Sequence, residues 1–190
     1  MKTNITLSFD ELTSLISKNQ NYLNEKIDKI LKLFFNTIKK NKTIFWAGNG
    51  GSAAESQHMS AELIGRFKYN RKPVSSIALS ADISSTTAIS NDYGFENIFS
   101  RQLEGLGRVG DLLIVMSTSG NSKNIIKVLK VAKSKGIKSI AFLGNDGGKC
   151  KLHSNLSLII KSKNTARIQE MHQIILHIIC ENVEKKILND

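Results

Sequence analysis

The fold can be worked out from residues 43–52, which read Thr43-Ile44-Phe45-Trp46-Ala47-Gly48-Asn49-Gly50-Gly51-Ser52. The first half is a short apolar run, partly β-branched, that stops at a glycine. This pattern predicts a buried strand that ends in a loop. From Ala53 to about Phe67 the composition and the spacing of apolar residues are typical of a helix. The stretch therefore predicts a strand, a glycine-rich loop and a helix, in that order.

The same alternation continues along the chain. Further strands are predicted at about 76–79, 111–116, 137–143 and 156–160, with helical segments up to about 106, up to about 135 and from about 165 to 188. Gly136 stands where a glycine commonly ends a helix. Alternating strands and helices predict a three-layer α/β fold, in which a parallel sheet lies between helices. Ligands bind such sheets at the carboxyl ends of the strands, where this sequence places its unusual loops.

The first 41 residues are predicted to be helical and to contribute to oligomer packing. Apolar side chains recur there at spacings of three and four residues, at Leu23, Ile27, Ile30, Leu31 and Phe34. We interpret the segment as a helical hairpin. We expect part of this apolar stripe to face another subunit, because one sheet domain offers too little surface to cover it. Residues 1–190 contain no repeat or linker and are predicted to form a single domain.

Composition excludes several classes of protein. No apolar run approaches the roughly 18 residues of a membrane-spanning helix, and no apolar segment follows the first residues as it would in a secretion signal. The two cysteines do not make a disulfide framework. We therefore expect a protein of the reducing cytoplasm that has no membrane partner.

The formal net charge of +11 has two interpretations. A basic surface can bind nucleic acid. The lysines are scattered, however, and where they cluster, at Lys123, Lys127 and Lys130, they follow the spacing of a solvated helix face. We therefore expect no nucleic-acid partner. The excess charge could instead steer an anionic substrate toward the protein.

A hydroxyl-rich loop lies between the third predicted strand and the next helix, and it reads Ser117-Thr118-Ser119-Gly120-Asn121-Ser122. Four hydroxyl groups therefore stand where the N–H groups at the start of a helix are unpaired, and such a place binds anions readily. The alternative is an ordinary capping loop, in which Ser119 or Ser122 caps the helix. The density of hydroxyl groups favours phosphate binding.

The glycine-rich loop at 48–52 does not match a nucleotide-binding motif. A dinucleotide-binding fingerprint read from Gly48 would need a glycine at the position of Ala53, and no Gly-Lys-Ser/Thr follows as it does in a P-loop. We interpret the segment as a loop whose backbone comes close to a small ligand.

Two helices carry candidate metal ligands. His58 and Glu62 lie four residues apart and therefore share one helix face, and imidazole and carboxylate groups are common zinc ligands. Alone, this spacing is more often a surface pair. The last helix carries Gln169, Gln173 and His177 at intervals of four among apolar residues, where polar groups need partners. The alternative is a core histidine hydrogen-bonded to a neighbour.

Taken in order, these motifs resemble those of the sedoheptulose-7-phosphate isomerases, or phosphoheptose isomerases, which have a sugar-isomerase (SIS) domain. The matching segments are Gly48-Asn49-Gly50-Gly51-Ser52-Ala53-Ala54, Gln57-His58, Ala61-Glu62-Leu63, Gly65-Arg66-Phe67, Asn91-Asp92-Tyr93-Gly94-Phe95, the loop 117–122 and Ala166-Arg167-Ile168-Gln169-Glu170-Met171-His172. The resemblance runs from about residue 20 to residue 188, and several motifs in the right order are far more specific than any one of them.

The resemblance implies a five-stranded parallel sheet in flavodoxin-like order and a homotetramer with active sites at subunit interfaces. It implies conversion of D-sedoheptulose 7-phosphate to D-glycero-D-manno-heptose 7-phosphate, the first step toward nucleotide-activated heptose for lipopolysaccharide or capsule. It also implies one Zn²⁺ per active site, with His58, Glu62, Gln169 and His177 as ligands. The implied substrate contacts are Asn49, Gly50, Gly51, Ser52, Glu62, Asn91, Asp92, Ser117, Thr118, Ser119, Ser122 and Gln169.

The implied chemistry moves a proton between adjacent carbons through an enediol, which needs a base at carbon and an acid or shuttle at oxygen. Glu62 is the candidate base and His177 the candidate partner. A glutamate that also binds metal is a poorer base, unless the metal bond loosens during turnover. Gln169 and His177 lie about 12 Å apart along a straight helix, so either the helix starts irregularly or three residues mainly hold the metal.

One departure from the family pattern concerns Ala166, where some members carry an aspartate; any role of that carboxylate cannot operate here. The main alternative function is a non-catalytic protein of the same fold that binds the replication initiator. That branch lacks the glutamate and the last histidine, whereas this chain has Glu62 and His177. A sugar-phosphate-sensing regulator would need a DNA-binding domain, for which the first forty residues are too few.

Overall fold

The computed structural model describes residues 3–189 of the chain, so the predictions for residues 1, 2 and 190 lie outside it. Six helices and five strands follow one another as α1 (Asn4–Lys39), β1 (Ile44–Gly48), α2 (Gly51–Ile64), β2 (Ser76–Ala78), α3 (Ile83–Tyr93), α4 (Ile98–Leu106), β3 (Leu112–Ser117), α5 (Lys123–Ser134), β4 (Lys138–Gly144), β5 (Leu156–Ile160) and α6 (Thr165–Asn189). The predicted order of strands and helices is confirmed, with ends that differ by a few residues.

The five strands form one parallel sheet in the order β2-β1-β3-β4-β5, as the resemblance implied. Strand β1 lies between β2 and β3, with Phe45 opposite Ile77 on one side and Leu113 on the other. The chain therefore places β2 on one side of β1 and then adds β3, β4 and β5 in order on the other side. This reversal places the loops after β1 and β3 next to each other at the carboxyl ends of the strands, where doubly wound folds bind ligands.

The core lies on both faces of the sheet. Successive side chains of a strand point to opposite faces, so Ile44 and Trp46 pack with α1, α2 and α6, whereas Phe45 and Ala47 pack with α4 and α5. All five residues of β1 are buried, which explains why its sequence is continuously apolar rather than alternating. The prediction of a three-layer fold is confirmed.

The predicted N-terminal hairpin is wrong, because α1 is a single helix of 36 residues. No glycine or proline occurs within it, so nothing in the segment forces a turn. The helix begins at an N-cap, Thr3, whose side chain accepts a hydrogen bond from the backbone N–H of Thr6 at 3.3 Å.

The apolar stripe of α1 is also placed differently from the expectation. Leu23, Ile27, Ile30 and Phe34 are buried in the core of their own chain, with Ile30 and Phe34 fully inaccessible, and Leu31 packs against the same core. The stripe is covered by α6 and the sheet, so it does not by itself call for another subunit. The exposed apolar side chains of α1 lie nearer its N-terminus, at Ile5, Leu7, Phe9 and Ile16.

Two further predictions concern single features. Gly136 has a φ of +68° and follows α5 directly, and the N–H of Ile137 returns to the carbonyl of Ala132 at 2.8 Å, as expected for a glycine that ends a helix. Among residues 3–189, no helix combines the length and the apolar character needed to cross a membrane.

Candidate active site

The glycine-rich and hydroxyl-rich loops meet at the carboxyl edge of the sheet through a pair of amides. Asn49 donates to the side-chain oxygen of Asn124 at 2.9 Å, and Asn124 donates back to the side-chain oxygen of Asn49 at 2.8 Å. Asn49 belongs to the loop after β1, and Asn124 to the first turn of α5. This reciprocal pair fixes the two loops to each other, although 75 residues separate the partners in sequence.

The hydroxyl-rich loop is folded on itself in a way that leaves the start of α5 open. Ser117 accepts a hydrogen bond from the N–H of Gly120 at 3.1 Å, and its hydroxyl lies 3.2 Å from that of Ser122. Ser122 occupies the N-cap position, but its side chain makes no capping hydrogen bond. Ser119 accepts from the N–H of Asn121 and caps nothing further along the helix. The arrangement is therefore not the ordinary capping loop that was the alternative, and it suits an anion that completes the helix start.

A cavity of about 250 Å³ opens between the glycine-rich loop and the beginning of α6. Its lining includes Gly51 and Ser52 from the loop and Gln169 from the helix. A Cβ atom at Gly51 would lie only 2.7 Å from the Nε2 atom of Gln169, so the loop backbone can approach this side chain only because the residue is glycine. The backbone of this loop thus lies against a side chain that lines the cavity, and its approach to a small ligand stays a prediction.

Three ionisable side chains converge further along α2 and α6, outside the lining of this cavity; His58 and His177 lie one turn beyond the lining residues Glu55 and Gln173. One ligand atom each from His58, Glu62 and His177 lie within 4.8 Å of one another. His58 and Glu62 share a face of α2, as their spacing predicts, with 3.1 Å between Nε2 and Oε1. His177 approaches from α6, and its ring stands edge-on to that of His58 with 5.1 Å between the centroids.

The donor set of this cluster fits a divalent metal. Two imidazoles and one carboxylate, all half-buried, form the three-ligand set that catalytic zinc sites use while leaving a position for substrate. Behind His58, the carboxylate of Glu55 lies 3.8 Å from Nδ1, on the side away from Glu62. A carboxylate in this place can hold the ring and its tautomer so that Nε2 is presented to a metal.

Burial shapes the protonation of the groups around the cluster. Desolvation, together with the nearby charge of His58, lowers the pKa of His177 below its usual value, although Glu62 opposes the shift. The pKa of His177 thus favours a neutral imidazole near pH 7, which is the form that binds metal or accepts a proton. Desolvation also raises the pKa of Glu55, against the opposing influence of His58.

Gln169 lies on α6, eight residues before His177. Helix α6 is continuous from Thr165 to Asn189, so the helix does not start irregularly at Gln169. The side chain of Gln169 lies against Gly51, two turns before His177. Of the two arrangements considered from sequence, this geometry favours a metal held mainly by His58, Glu62 and His177. Gln169 as a fourth ligand stays a prediction.

Asn91 and Asp92 do not line the cavity. Both are exposed near the end of α3, where Asn91 donates to the carboxylate of Asp92 at 2.8 Å. Asp92 lines a separate concavity with Tyr93 and Arg101. Within this one chain, the two residues are therefore not brought together with the other predicted substrate contacts.

Sequence reasoning assigned no role to two residues that line the cavity, Glu55 and His172. His172 is fully buried; its Nε2 donates to the carbonyl of Leu143 at 3.3 Å, while its Nδ1 and the Oε1 of Glu55 have no protein partner among the described residues. The available signal was spacing, because Glu55 lies three residues before His58 and His172 three residues after Gln169, one turn away on the same faces.

Comparison with known proteins identifies the domain family to which this fold belongs. The family model described as "SIS domain" matches residues 9–144, which is most of the chain. The chain is thus a SIS-domain protein.

Similarity to individual proteins narrows the class further. The phosphoheptose isomerase of Sulfurimonas denitrificans is 48% identical over 190 residues, which cover 100% of this chain and 96% of the relative. The solved phosphoheptose isomerase of Francisella tularensis superposes with a TM-score of 0.92 at 32% identity and covers 95% of this chain and 96% of its own. That of Neisseria gonorrhoeae gives a TM-score of 0.89 at 36% identity, over 95% and 97% of the two chains. The chain belongs to the phosphoheptose isomerase family.

Proposed function

We propose that this protein interconverts D-sedoheptulose 7-phosphate and D-glycero-D-manno-heptose 7-phosphate through an enediol. The observation that carries the proposal is the convergence of Glu62, His58 and His177 within 4.8 Å, on two helices that both begin at the edge of the sheet bearing the hydroxyl-rich loop. A carboxylate with two imidazoles can move protons between adjacent carbon and oxygen atoms. The names of relatives that are nearly half identical over the whole chain support the same reaction.

The substrate phosphate is assigned to the loop 117–122 at the start of α5. Ser122 makes no capping hydrogen bond there, although the N–H of Ile125 pairs with Oδ1 of Asn124 at 2.9 Å, and Ser117, Ser119 and Ser122 place three hydroxyls in the loop just before the helix. A dianion gains from both the hydrogen bonds and the helix dipole. Held in this way, the sugar chain can extend toward Gly51, Ser52 and Gln169, which line the cavity.

Glu62 takes the proton from carbon 1 of the ketose, which leaves an enediol with oxygens on carbons 1 and 2. His177, neutral at the start, then accepts the proton of the oxygen on carbon 1 and passes it to the oxygen on carbon 2, so that the ring ends neutral. Glu62 returns its proton to carbon 2, so that the aldose forms with no net gain or loss. The lowered pKa of His177 suits this exchange, because a neutral ring can both accept and release a proton near pH 7.

We assign the metal to the three-residue cluster, with Zn²⁺ as the ion and Gln169 as the fourth ligand that the family resemblance implies. When bound, zinc would polarise the carbonyl oxygen of the ketose and so stabilise the charge that develops on it. Glu55 would hold His58 in the orientation that a ligand needs, from 3.8 Å behind its ring.

The active site is proposed to be completed in a homotetramer, at subunit interfaces. Helix α3 has no buried residue in the single chain, although it carries Asn91 and Asp92 and begins at the exposed Ile83. A groove between α1 and α6 also exposes Ile16 and Ile178. Contact with other subunits would cover both surfaces, and it would bring Asn91 and Asp92 to a neighbour's cavity.

The reaction would belong to the cytoplasm, where its product would supply nucleotide-activated heptose for lipopolysaccharide or capsule. The initiator-binding alternative gains nothing from the relatives, which are named as isomerases. It also gives no reason for the convergence of Glu62 and His177.

A coupled assay of the purified protein on sedoheptulose 7-phosphate, with and without a chelator, tests the proposal. We expect turnover that chelation abolishes and added zinc restores. Absence of turnover in zinc-loaded protein, together with binding of the replication initiator, would favour the alternative.

A further inference from the structure

A buried ion pair connects the two helices that carry the proposed metal ligands. Arg71 lies in the segment after α2, and Glu184 lies near the end of α6. The Nε atom of Arg71 is 3.4 Å from Oε1 of Glu184, and only 2% and 1% of the two side chains are exposed. Charged groups are rarely buried so completely unless each is closely paired, and so this pair calls for a physical account.

Arg71 is bound to the end of α2. Its guanidinium donates to the carbonyl of Glu62 at 2.6 Å and to that of Leu63 at 2.7 Å. These carbonyls belong to the last turn of the helix, where no N–H of the helix itself remains to pair with them, and that of Leu63 also accepts from the N–H of Val74 at 3.0 Å. A cation at this place also suits the negative end of the helix dipole. The main chain of Glu62, the proposed base, is therefore held directly by Arg71.

Glu184 is bound to the segment that follows α2. Its carboxylate accepts backbone hydrogen bonds from Phe67 at 3.0 Å, Lys68 at 2.6 Å and Tyr69 at 3.0 Å. Burial opposes ionisation of this carboxyl, but these N–H groups and Arg71 outweigh it, and its pKa lies below the usual value. The negatively charged side chain of Glu184 thus holds the backbone of residues 67–69 against α6.

The turn held by Glu184 contacts His177 through one side chain. The ring of Phe67 stacks on the ring of His177, with 5.6 Å between centroids and 29° between planes. The ring of His177 also contacts that of His58, with 5.1 Å between centroids. His177 therefore contacts both a proposed metal ligand and a ring whose backbone is fixed by Glu184.

We propose that Arg71 and Glu184 are positioning residues that set the distance between α2 and α6, and with it the geometry of His58, Glu62 and His177. The inference rests on the proposed function in that it takes these three residues as the metal and proton-transfer groups. Neither Arg71 nor Glu184 belongs to the three-residue cluster, so both act through other residues.

The test uses Glu184→Gln in the full-length protein, since glutamine keeps the shape of the side chain and removes its charge. Arg71→Lys is the second variant, because it keeps the charge and loses the planar fork that reaches both Glu62 and Leu63. The matched control is Asp111→Asn. Asp111 is also buried and also accepts two backbone hydrogen bonds, from Thr43 at 2.9 Å and Arg108 at 2.7 Å, but it directly precedes β3 and neither partner belongs to α2 or α6.

The first measurement needs neither metal nor substrate. The chain has four histidines, so 4-fluorohistidine labelling gives four fluorine resonances, which single histidine variants assign. In metal-free Glu184→Gln and Arg71→Lys protein we expect the resonances of His58 and His177 to move, while those of His153 and His172 stay in place. In Asp111→Asn all four resonances should match those of the parent, even if this variant loses as much thermal stability as Glu184→Gln does.

The second measurement is zinc affinity, by competition with a chromophoric chelator, followed by steady-state kinetics. We expect Glu184→Gln to lose roughly ten- to a hundredfold in affinity and in kcat, as is usual for groups behind metal ligands, with a much smaller change in KM. Unmoved His58 and His177 resonances with parental zinc affinity, in a folded variant, would overturn the inference. A parent without isomerase activity would overturn the proposed function instead, and the fluorine resonances would still decide the role of the pair.

Discussion

The ring of His177 stands edge-on to the ring of His58, with an angle of 76° between their planes and 5.1 Å between their centroids. The two residues come from different helices, α6 and α2, and Glu62 completes the group from the face of α2. Because the partners are distant in sequence, the group exists only when both helices are packed on the same face of the sheet. The proposed chemistry therefore depends on tertiary packing and not on a local motif.

Loss of one imidazole should remove the metal. His58→Ala deletes one of three converging donors, so zinc affinity should fall by more than the roughly ten- to hundredfold typical of groups behind a ligand. Elemental analysis of purified protein should give one zinc per chain for the parent and nearly none for the variant. His153→Ala is the matched control, since His153 follows the short turn before β5 and has no part in the cluster. Full activity of zinc-free parent protein would contradict this prediction.

Removal of a hydroxyl from the loop 117–122 should weaken substrate binding. Ser119→Ala deletes a hydrogen bond to a charged group, which is worth about 1.5–3 kcal/mol, so KM should rise by roughly ten- to a hundredfold with a smaller change in kcat. Ser117→Ala should do the same. Ser134→Ala, at the far end of α5, should leave KM unchanged. If both loop variants retained the parental KM, the phosphate would have to bind elsewhere.

Subunit association should depend on the groove between α1 and α6. Ile16→Asp puts a charge on a side chain that is 40% exposed in the single chain and lines this groove. Light scattering at micromolar concentration should give four times the chain mass for the parent and a smaller species for the variant. Leu152→Asp changes a more exposed apolar residue outside the groove and should leave the assembly intact. A monomeric parent would refute the tetramer.

Much of the fold followed from the sequence because its signals are local. Buried parallel strands are continuously apolar, and glycine ends helix α5 at Gly136 for reasons of backbone geometry. The wrong expectation that the apolar stripe of α1 faces another subunit arose because that question depends on tertiary packing and not on a local signal. The stripe was correctly located, but periodicity cannot tell whether Ile30 and Phe34 meet their own sheet or another subunit.

The site was only partly predictable for a similar reason. The pairing of His58 with Glu62 follows from helix spacing, whereas the approach of His177 follows from how α6 packs on α2. Nothing in the local sequence indicates that Glu184 accepts three backbone hydrogen bonds from residues more than a hundred positions away. Such contacts become visible only when the elements are assembled.

Acid should destabilise the protein through His172. Burial lowers the pKa of this histidine to about 4, against a hydrogen bond from its ring to the carbonyl of Leu143, while the unfolded chain keeps the usual value near 6.5. Between these two pKa values the unfolded state binds a proton that the folded state does not. The contribution of His172 to the free energy of unfolding is therefore fully present above pH 6.5 and is lost as the pH is lowered toward 4. The loss from pH 7 to pH 5 should be about 2 kcal/mol.

Urea unfolding of the parent and of His172→Phe, at pH 7 and pH 5 and at one protein concentration, measures this contribution. The variant lacks the titrating ring, so its free energy of unfolding should decline less between the two pH values. An identical decline in both proteins would show that His172 is not the group responsible.

Hydrogen exchange at carbon 1 of the substrate shows directly whether Glu62 moves the carbon-bound proton. Sedoheptulose 7-phosphate is incubated in D₂O with zinc-loaded parent, Glu62→Gln and, as control, Glu104→Gln on the exposed side of α4. Glutamine keeps the shape and an oxygen for the metal, so Glu62→Gln should fold, retain zinc and bind substrate.

Incorporation of deuterium at carbon 1 by Glu62→Gln should fall by roughly a hundred- to ten-thousandfold, as expected on loss of a general base, while Glu104→Gln keeps the parental rate. A folded, zinc-loaded Glu62→Gln protein that exchanges the carbon-bound proton at the parental rate would contradict the account.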